Sequence, residues 1–314
     1  MPPTTKDVEH FEAARPRLEA IAYRLLGSAS EAEDAVQEVF LRWRAADVER
    51  IEVPAAWLTK VLTNLCLNQL SSARVRRENY VGQWLPEPLL DGDPMLGPAD
   101  TAEQRESVSY AVLALMERLS PHERAVYVLR EAFDYPHREI AGILGLTEGA
   151  SQQILHRARK HIADGRARSE VDGAAARRIV EEFLAAATGG KIEPLVRLLT
   201  ADAVSIGDGG GKVPARVKPF EGALAVAKFM RGLFTPTRAK RALVGGPVEV
   251  HVTTANGGPA VVVAVGGRVI GVMCPEVTAE GIAVLRNQVN PDKLGRATAM
   301  WAAADRGEPV FRAF

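Results

Sequence analysis

The hydrophobic period changes once along these 314 residues, and that change constrains the fold more than any other feature. As far as about Ala163, apolar residues recur at helical spacing. After Asp172 two more helical stretches, one with Ile179, Val180, Phe183 and Leu184 and one with Leu195, Leu198 and Leu199, give way to β-branched runs at Val248 to Val252, Val261 to Val265, Val269 to Met273 and Ile282 to Val289. Asn256-Gly257-Gly258 and Gly266-Gly267 separate these runs, as tight turns between antiparallel strands do. A helix-period stretch presents one face every 3.6 residues and a strand every second residue, so the two patterns cannot share one sheet or one bundle. The sequence therefore predicts helical cores followed by a separate α+β core, in keeping with roughly 100–150 residues per domain.

The helical part is itself interrupted. Pro86, Pro88, Pro94 and Pro98 fall between about Val81 and Thr101 and forbid a continuous helix, which marks a linker. That linker carries Trp84-Leu85-Pro86-Glu87-Pro88, an apolar pair unusual for a solvated connector, so docking is expected. Before it, Phe11, Leu18, Ile21, Ala22, Leu25 and Leu26 predict a first helix ending at Gly27, and Ser30 is expected to cap a second. In the second helix Ala32, Ala35, Val36, Val39, Phe40 and Trp43 share the core face, while Asp34, Gln37, Glu38 and Leu41 lie opposite. An acidic face with one large apolar residue suits a basic protein partner, and equally a solvated surface. A third helix over Ala55 to Ala73 turns Lys60, Asn64 and Asn68 away from its core and runs into Arg74, Arg76 and Arg77. Amides that flow into guanidiniums suit bases and phosphates together, the alternative again being a polar solvent face.

A helical pattern resumes over Glu103 to Leu119. Ser120-Pro121-His122-Glu123 then has the cap, first-turn proline and acid of a helix start, and that helix is expected to run to Phe133. A short helix from Pro136 or His137 to Leu144, the turn Gly145-Leu146-Thr147 and a helix from Glu148 to about Ala163 follow. Ile140, Ala141, Leu144, Leu146, Ala150, Ile154 and Leu155 have the spacing of two helices crossing steeply about a glycine turn, a helix-turn-helix. Ser151, Gln152, Gln153, His156 and Arg157 are expected to face outward with Arg159 and Lys160 behind. Glutamine amides can pair with adenine edges in the major groove while basic side chains hold phosphates.

Composition narrows the rest. The 39 basic and 39 acidic residues cancel, so only local clusters speak for nucleic acid. No apolar run reaches the ~18 residues a membrane helix needs, and residues 1 to 10 lack the pattern of an export signal, so a cytoplasmic protein without membrane contact is expected. Cys66 and Cys274 read as buried free thiols, and no metal or cofactor site is expected. Asp208-Gly209-Gly210-Gly211-Lys212 lacks the spacing of a phosphate-binding loop and reads as a hairpin turn. His251, Asp202 and Asp208 have no acid/base partner visible in the sequence, so no catalytic residue is assigned.

Taken in order, these motifs resemble the extracytoplasmic function group of bacterial sigma-70 factors. Ala32-Glu33-Asp34-Ala35-Val36-Gln37-Glu38-Val39-Phe40-Leu41 resembles the σ2 helix that grips the clamp of the polymerase β′ subunit, which assigns core binding to Asp34, Gln37, Glu38 and Leu41. Trp57 to Ser71 is similar to the helix beside the minus-ten element, implying DNA contacts by Lys60, Asn64, Asn68, Arg74, Arg76 and Arg77. Leu119 to His161 resembles the σ4 domain that reads the minus-thirty-five element, implying Ser151, Gln152, Gln153, His156, Arg157 and Lys160. Trp84 to Pro88, Asp208 to Lys212 and Asn290-Pro291-Asp292-Lys293-Leu294 are similar to the signatures of the subgroup with a SnoaL-like, NTF2-like extension. There the extension is thought to replace a separate anti-sigma protein. Gln152 and Gln153 depart from the basic residue many members carry, and Ser71-Ser72 interrupts the usual arginine-rich end, so promoter sequence does not carry over.

The resemblance implies a multidomain chain: all-α σ2 over 1–82, a linker over 83–104, all-α σ4 with the helix-turn-helix over 105–170, an α+β NTF2-like (SnoaL-like) domain over 171–300 and a tail over 301–314. Its implied partners are core RNA polymerase, through β′ clamp and β flap, and promoter DNA, with no separate anti-sigma factor and with room for a small-molecule ligand in the SnoaL-like domain. Trp84, Leu85, Pro86, Asp208, Gly209, Gly210, Lys212, Asn290, Pro291, Asp292 and Lys293 are the expected regulatory contacts. Two other readings stay open: a ligand-responsive helix-turn-helix regulator that does not act through polymerase, and a SnoaL-like enzyme.

Overall fold

In the computed structural model, residues 5–78, 80–165 and 171–313 are described. The chain forms two compact bodies, one of Met1–Asn79 with Gly92–Arg166, the other of Tyr80–Asp91 with Ala167–Phe314. Among the described residues no helix is long and apolar enough to cross a membrane.

The first body is helical. Helix α1 (Thr5–Leu26) ends where Gly27 adopts φ 69°, and its Pro16 sits on the solvent face. Helix α2 (Ala29–Ala45) is capped by Ser28, whose side chain accepts from the Glu31 amide at 3.3 Å, two residues earlier than the expected Ser30. Helix α3 (Pro54–Glu78) completes a core of Phe11, Leu18, Val36, Trp43, Leu58 and Leu62, all at most 1% exposed. Burial pushes the Cys66 thiol well above its usual range, which makes it inert packing. Residues 92–101 dock back on α1: Met95 is buried, and the Arg24 guanidinium donates to the Pro98 carbonyl at 3.3 Å. At Gly97 a Cβ would lie 2.7 Å from that of Ala20, so no larger residue fits.

The helix expected over 103–119 is broken. Helix α4 (Ala102–Val108) stops at Ser109, whose extended backbone and side chain cap helix α5 (Tyr110–Met116). Serine competes with the helix for its own backbone amides, and here a cap wins over continuation. Helix α6 (Pro121–Tyr127) begins with the expected Ser120/Glu123 capping box and widens into a π-turn over Val128–Ala132 instead of running straight to Phe133. Helix α7 (His137–Leu144), Gly145 at φ 67° and helix α8 (Glu148–Gly165) form the helix-turn-helix. Thr59 Oγ1 lies 3.0 Å from Tyr135 Oη, and Arg17 lies over the Phe133 and Tyr135 rings, so α1 and α3 pack against the turn ahead of α7. Arg124 is 2% exposed, pairs with Glu117 and donates to the Arg24 carbonyl; burial pushes its pKa down to about 9, still a cation at neutral pH.

The second body holds helices α9 (Gly173–Thr188) and α10 (Ile192–Arg197), strand β1 (Leu199–Asp208), strand β2 (Phe220–Glu221), helices α11 (Ala223–Phe234) and α12 (Arg238–Val244), strands β3 (Val248–Ala255), β4 (Gly258–Val265), β5 (Arg268–Thr278) and β6 (Gly281–Gln288), helix α13 (Gly295–Ala303) and strand β7 (Phe311–Ala313). The sheet order is β2-β1-β6-β5-β4-β3-β7. The four runs expected as antiparallel strands pair that way, as β3 with β4, β4 with β5 and β5 with β6; the unforeseen strand β1 joins β6 in parallel. Leu199, expected in a helix, opens β1, because Leu198 and Leu199 end the helical spacing and Ala203, Ser205 and Gly207 alternate with outward residues. Val180, Phe183 and Leu184 of α9, Leu195 of α10 and Val226 and Met230 of α11 fill the core on one sheet face. Trp301 of α13 packs edge-on to His251 on the other face at 4.9 Å. Residues expected as a tail after 300 finish α13 and supply the edge strand β7.

Candidate functional site

The α2 helix presents two unlike faces. Ala32, Ala35, Val36, Val39 and Trp43 are buried, whereas Asp34 and Gln37 are exposed and Leu41 is 50% exposed. Glu38 is half-buried and paired with Arg42 at 2.8 Å. The four residues singled out in the sequence thus share one surface, and the fold leaves the apolar Leu41 at its C-terminal end uncovered.

On α3, Lys60, Asn64 and Asn68 recur every fourth residue and form an exposed stripe, none of them hydrogen-bonded through its side chain among the described residues. The side chains of Arg74, Arg76 and Arg77 lie outside the described residues. On α8, Gln152, Gln153, His156, Arg157 and Lys160 are exposed. Arg157 stands 3.6 Å from Glu123, and Arg159 is held by Glu131 at 2.8 Å. Ser151, expected outward, is buried: it continues the inward stripe of Leu155, Ala158 and Ile162, and its hydroxyl lies 2.9 Å from His137 Nδ1. It sets the crossing of α7 and α8 and is not a DNA-facing group.

In the second body the three separated motifs converge on one carboxylate. Asp208, at the end of β1, is 0% exposed. Its Oδ1 accepts from Tyr80 Oη at 2.7 Å and the Gly210 amide at 3.0 Å. Its Oδ2 accepts from the Leu85 amide at 2.9 Å, Gln288 Nε2 at 3.2 Å and Lys293 Nζ at 2.7 Å. Lys293 also donates to the Leu85 carbonyl at 2.7 Å and sits 4.1 Å from the centre of the Trp84 ring. A buried carboxylate is tolerable only with such a full set of donors and a cation beside it. Burial first, then the bond to Asp208, pushes the Tyr80 phenol above its usual range, so it stays protonated and a donor.

Around this centre, Asn290 donates to Tyr80 Oη at 3.0 Å, and its Oδ1 accepts the Asp292 amide at 3.1 Å to start the turn at Pro291. Gly210, at φ 60°, faces the Asn290 amide so closely that a Cβ would fall 2.3 Å from its nitrogen, and Gly209 is crowded by the Val213 carbonyl in the same way. Lys212 and Asp292 form an exposed pair at 2.7 Å. Leu85 and Pro86 are buried, and both carbonyls accept from Gln288 at 3.2 Å. Two participants escaped the sequence reading. Tyr80 followed an arginine cluster and Gln288 lay inside a strand pattern; the one available signal was that Gln288 is a polar residue where the alternation leads to a buried face. Beyond the motif, Leu89 and Asn256 exchange bonds at 3.1 and 2.9 Å, so the linker runs on as an extra extended segment beside β3.

Comparison with known proteins agrees with this division. Residues 10–76 match the family model for sigma-70 region 2 and residues 109–162 that for sigma-70 region 4. Over 228 residues, 72% of this chain and 73% of the relative, the sequence is 39% identical to the ECF RNA polymerase sigma factor SigJ of Mycobacterium tuberculosis. It is 35% identical over 194 residues, 60% of this chain and 65% of the relative, to the probable ECF RNA polymerase sigma factor SigI of that species. The crystal structure of the M. tuberculosis extracytoplasmic function sigma factor SigJ superposes with a TM-score of 0.69 at 32% identity, covering 91% of this chain and 97% of that one. Likeness to a member along both bodies, with the two sigma-70 regions in order, establishes that this chain belongs to the extracytoplasmic function family of RNA polymerase sigma factors.

Proposed function

We propose that the chain binds core RNA polymerase and directs it to promoters, with its α+β body acting as a fused regulator rather than an enzyme. In this reading the α2 surface of Asp34, Gln37, Glu38 and Leu41 docks on the β′ clamp, and the region 4 helices engage the β flap. The α3 stripe with Arg74, Arg76 and Arg77 faces the minus-ten element. Gln152 and Gln153 read minus-thirty-five base edges while His156, Arg157 and Lys160 hold phosphates. The observation that carries the reading is Leu41, a large apolar side chain left half exposed amid acidic and amide groups on an otherwise well-packed helix. A ligand-responsive repressor has no use for that surface.

Regulation follows from the same geometry. A compact helical body of roughly 150 residues has a radius of gyration of about 15 Å. Promoter elements whose names place them 25 base pairs apart lie about 85 Å from each other at 3.4 Å per step. The body in which α3 packs against the turn before α7 must therefore open before both elements are engaged, and the linker must change its path. Asp208, Gln288 and Lys293 fix that linker at Tyr80, Trp84 and Leu85, so the clasp biases the equilibrium in cis and takes the place of a separate anti-sigma protein. The regulatory role is supported by the Asp208 clasp, whose one buried carboxylate is fully engaged by Tyr80, Leu85, Gly210, Gln288 and Lys293 in holding the linker.

The test is core binding by Asp34→Arg combined with Leu41→Ala. Truncating one apolar anchor and reversing one charge at an interface centre each cost ~2 kcal/mol or more, so affinity should fall by at least about a hundredfold. Unchanged binding by a folded double variant would reject the α2 assignment.

A further inference from the structure

The α+β body contains a cavity of about 160 Å³ between the sheet and α11. Phe229 and Met230 of α11, Val261 and Val263 of β4 and Met273 of β5 line it, and Phe220 stacks on Phe229 with ring centres 4.2 Å apart. An apolar cavity of ~150 Å³ is large enough to hold one benzene ring. The space is thus matched to a single aromatic ring.

Its polar side chains are few: Ser205, Asn287, Arg216 and Lys218. In the wall, Ser205 of β1 is 2% exposed, and its oxygen accepts from Asn287 Nδ2 at 3.1 Å. The Ser205 proton has no acceptor among the described residues. Asn287 Nδ2 also donates to the Ile206 carbonyl at 3.0 Å, whereas its Oδ1 receives no donor among them. One hydroxyl donor and one amide acceptor therefore stand side by side with capacity left over, which is the pair a phenol hydroxyl satisfies. At the solvent side, Arg216 and Lys218 line the cavity while remaining exposed, and neither has a carboxylate within ion-pair distance among the described residues. Arg216 is oriented over the Phe220 ring, 4.6 Å from its centre. Two uncommitted cations beside an apolar cavity favour an anionic head.

We infer that this cavity binds a small monocyclic aromatic acid, its ring among Phe229, Met230, Val261 and Met273, its carboxylate at Arg216 and Lys218, and a ring hydroxyl at Ser205 and Asn287. Every group named lies within the α+β body. The binding test needs neither polymerase nor DNA, so its failure leaves the sigma-factor reading standing.

Calorimetric titration of the full-length protein with 4-hydroxyphenylacetate, phenylacetate and 4-hydroxyphenylacetamide tests it. The hydroxylated acid should bind tightest, and about tenfold or more should separate it from the amide. Arg216→Met with Lys218→Met should remove the advantage of the acid over the amide. Ser205→Ala should remove the advantage of the hydroxylated ring over phenylacetate. These three exchanges remove charge or one hydroxyl without adding bulk, and unchanged melting of the free proteins checks the fold. Absence of binding by all three compounds up to about 5 mM, or acid binding unaffected by the double charge variant, overturns the proposal.

Discussion

Asp208 shows how a sequence motif becomes a device. Its carboxylate is wholly enclosed and receives Tyr80, Leu85, Gly210, Gln288 and Lys293, so its charge is met by donors from all three motifs and by one cation. Removing one member of a buried, hydrogen-bonded ion pair leaves the other charge uncompensated and costs about 3–5 kcal/mol. Asp208→Ala and Lys293→Met should each destabilise the α+β body by that order. The double variant, which leaves no lone charge, should cost clearly less than the two losses added. Urea unfolding of the four proteins checks this, and strict additivity would show that the pair is not coupled. Lys212 with Asp292, an exposed pair in the same two motifs, is worth only about 0–1 kcal/mol, so Asp292→Ala should be nearly silent in that assay. The motifs around Asp208 and Lys293 were legible only through the family resemblance, since by local pattern Asp208 to Lys212 reads as a hairpin turn. Tyr80 and Gln288 were not legible, because hydrogen bonds to Asp208 across 128 and 80 residues leave no periodic mark. Ser151 misled for the opposite reason: a serine on a helix looks solvent-facing until its partner, here His137, is known.

At the level of elements, the helices and the glycine turns were legible, and the departures occur where a local competitor beats the period. Ser109 ends α4 by capping α5, the π-turn over Val128–Ala132 replaces the last turn of a straight helix, and β1 begins inside what reads as helical leucine spacing. The parallel pairing of β1 with β6 is non-local, and no hairpin signal announces it. That pairing nonetheless positions the site, since it sets Asp208 beside Gln288. In the helical body α1 and α3 meet the turn before α7 through Thr59 with Tyr135, Arg17 over the Phe133 and Tyr135 rings and Arg24 over the Phe133 ring. A junction of this kind suits two states separated by a few kcal/mol. Arg17→Ala combined with Thr59→Val removes about 1–3 kcal/mol from the packed state. It should raise transcription at limiting protein several-fold, read as abortive transcripts from one promoter at fixed polymerase. Activity unchanged in a folded double variant would argue that opening is not what limits initiation.

For the whole molecule, the period change that opened the sequence reading separates a helical body from an α+β body, but the boundary is not a single cut. The segment Tyr80–Asp91 belongs with the distant α+β body while the residues on either side of it belong to the helical one. Sequence order could not reveal that, because the apolar pair Trp84-Leu85 announces docking without naming its surface. The α+β body thus includes the segment that connects the two sigma-70 regions, which under the proposed function is the part of the chain that moves. Initiation by this chain on core polymerase is therefore the central claim, and transcription in vitro from genomic fragments with sigma-free core polymerase tests it directly. The account predicts discrete transcripts that appear only with the full-length protein and disappear with Asp34→Arg and Leu41→Ala. Transcription that does not depend on the protein, or that the folded double variant supports as well as the unaltered chain, would contradict it.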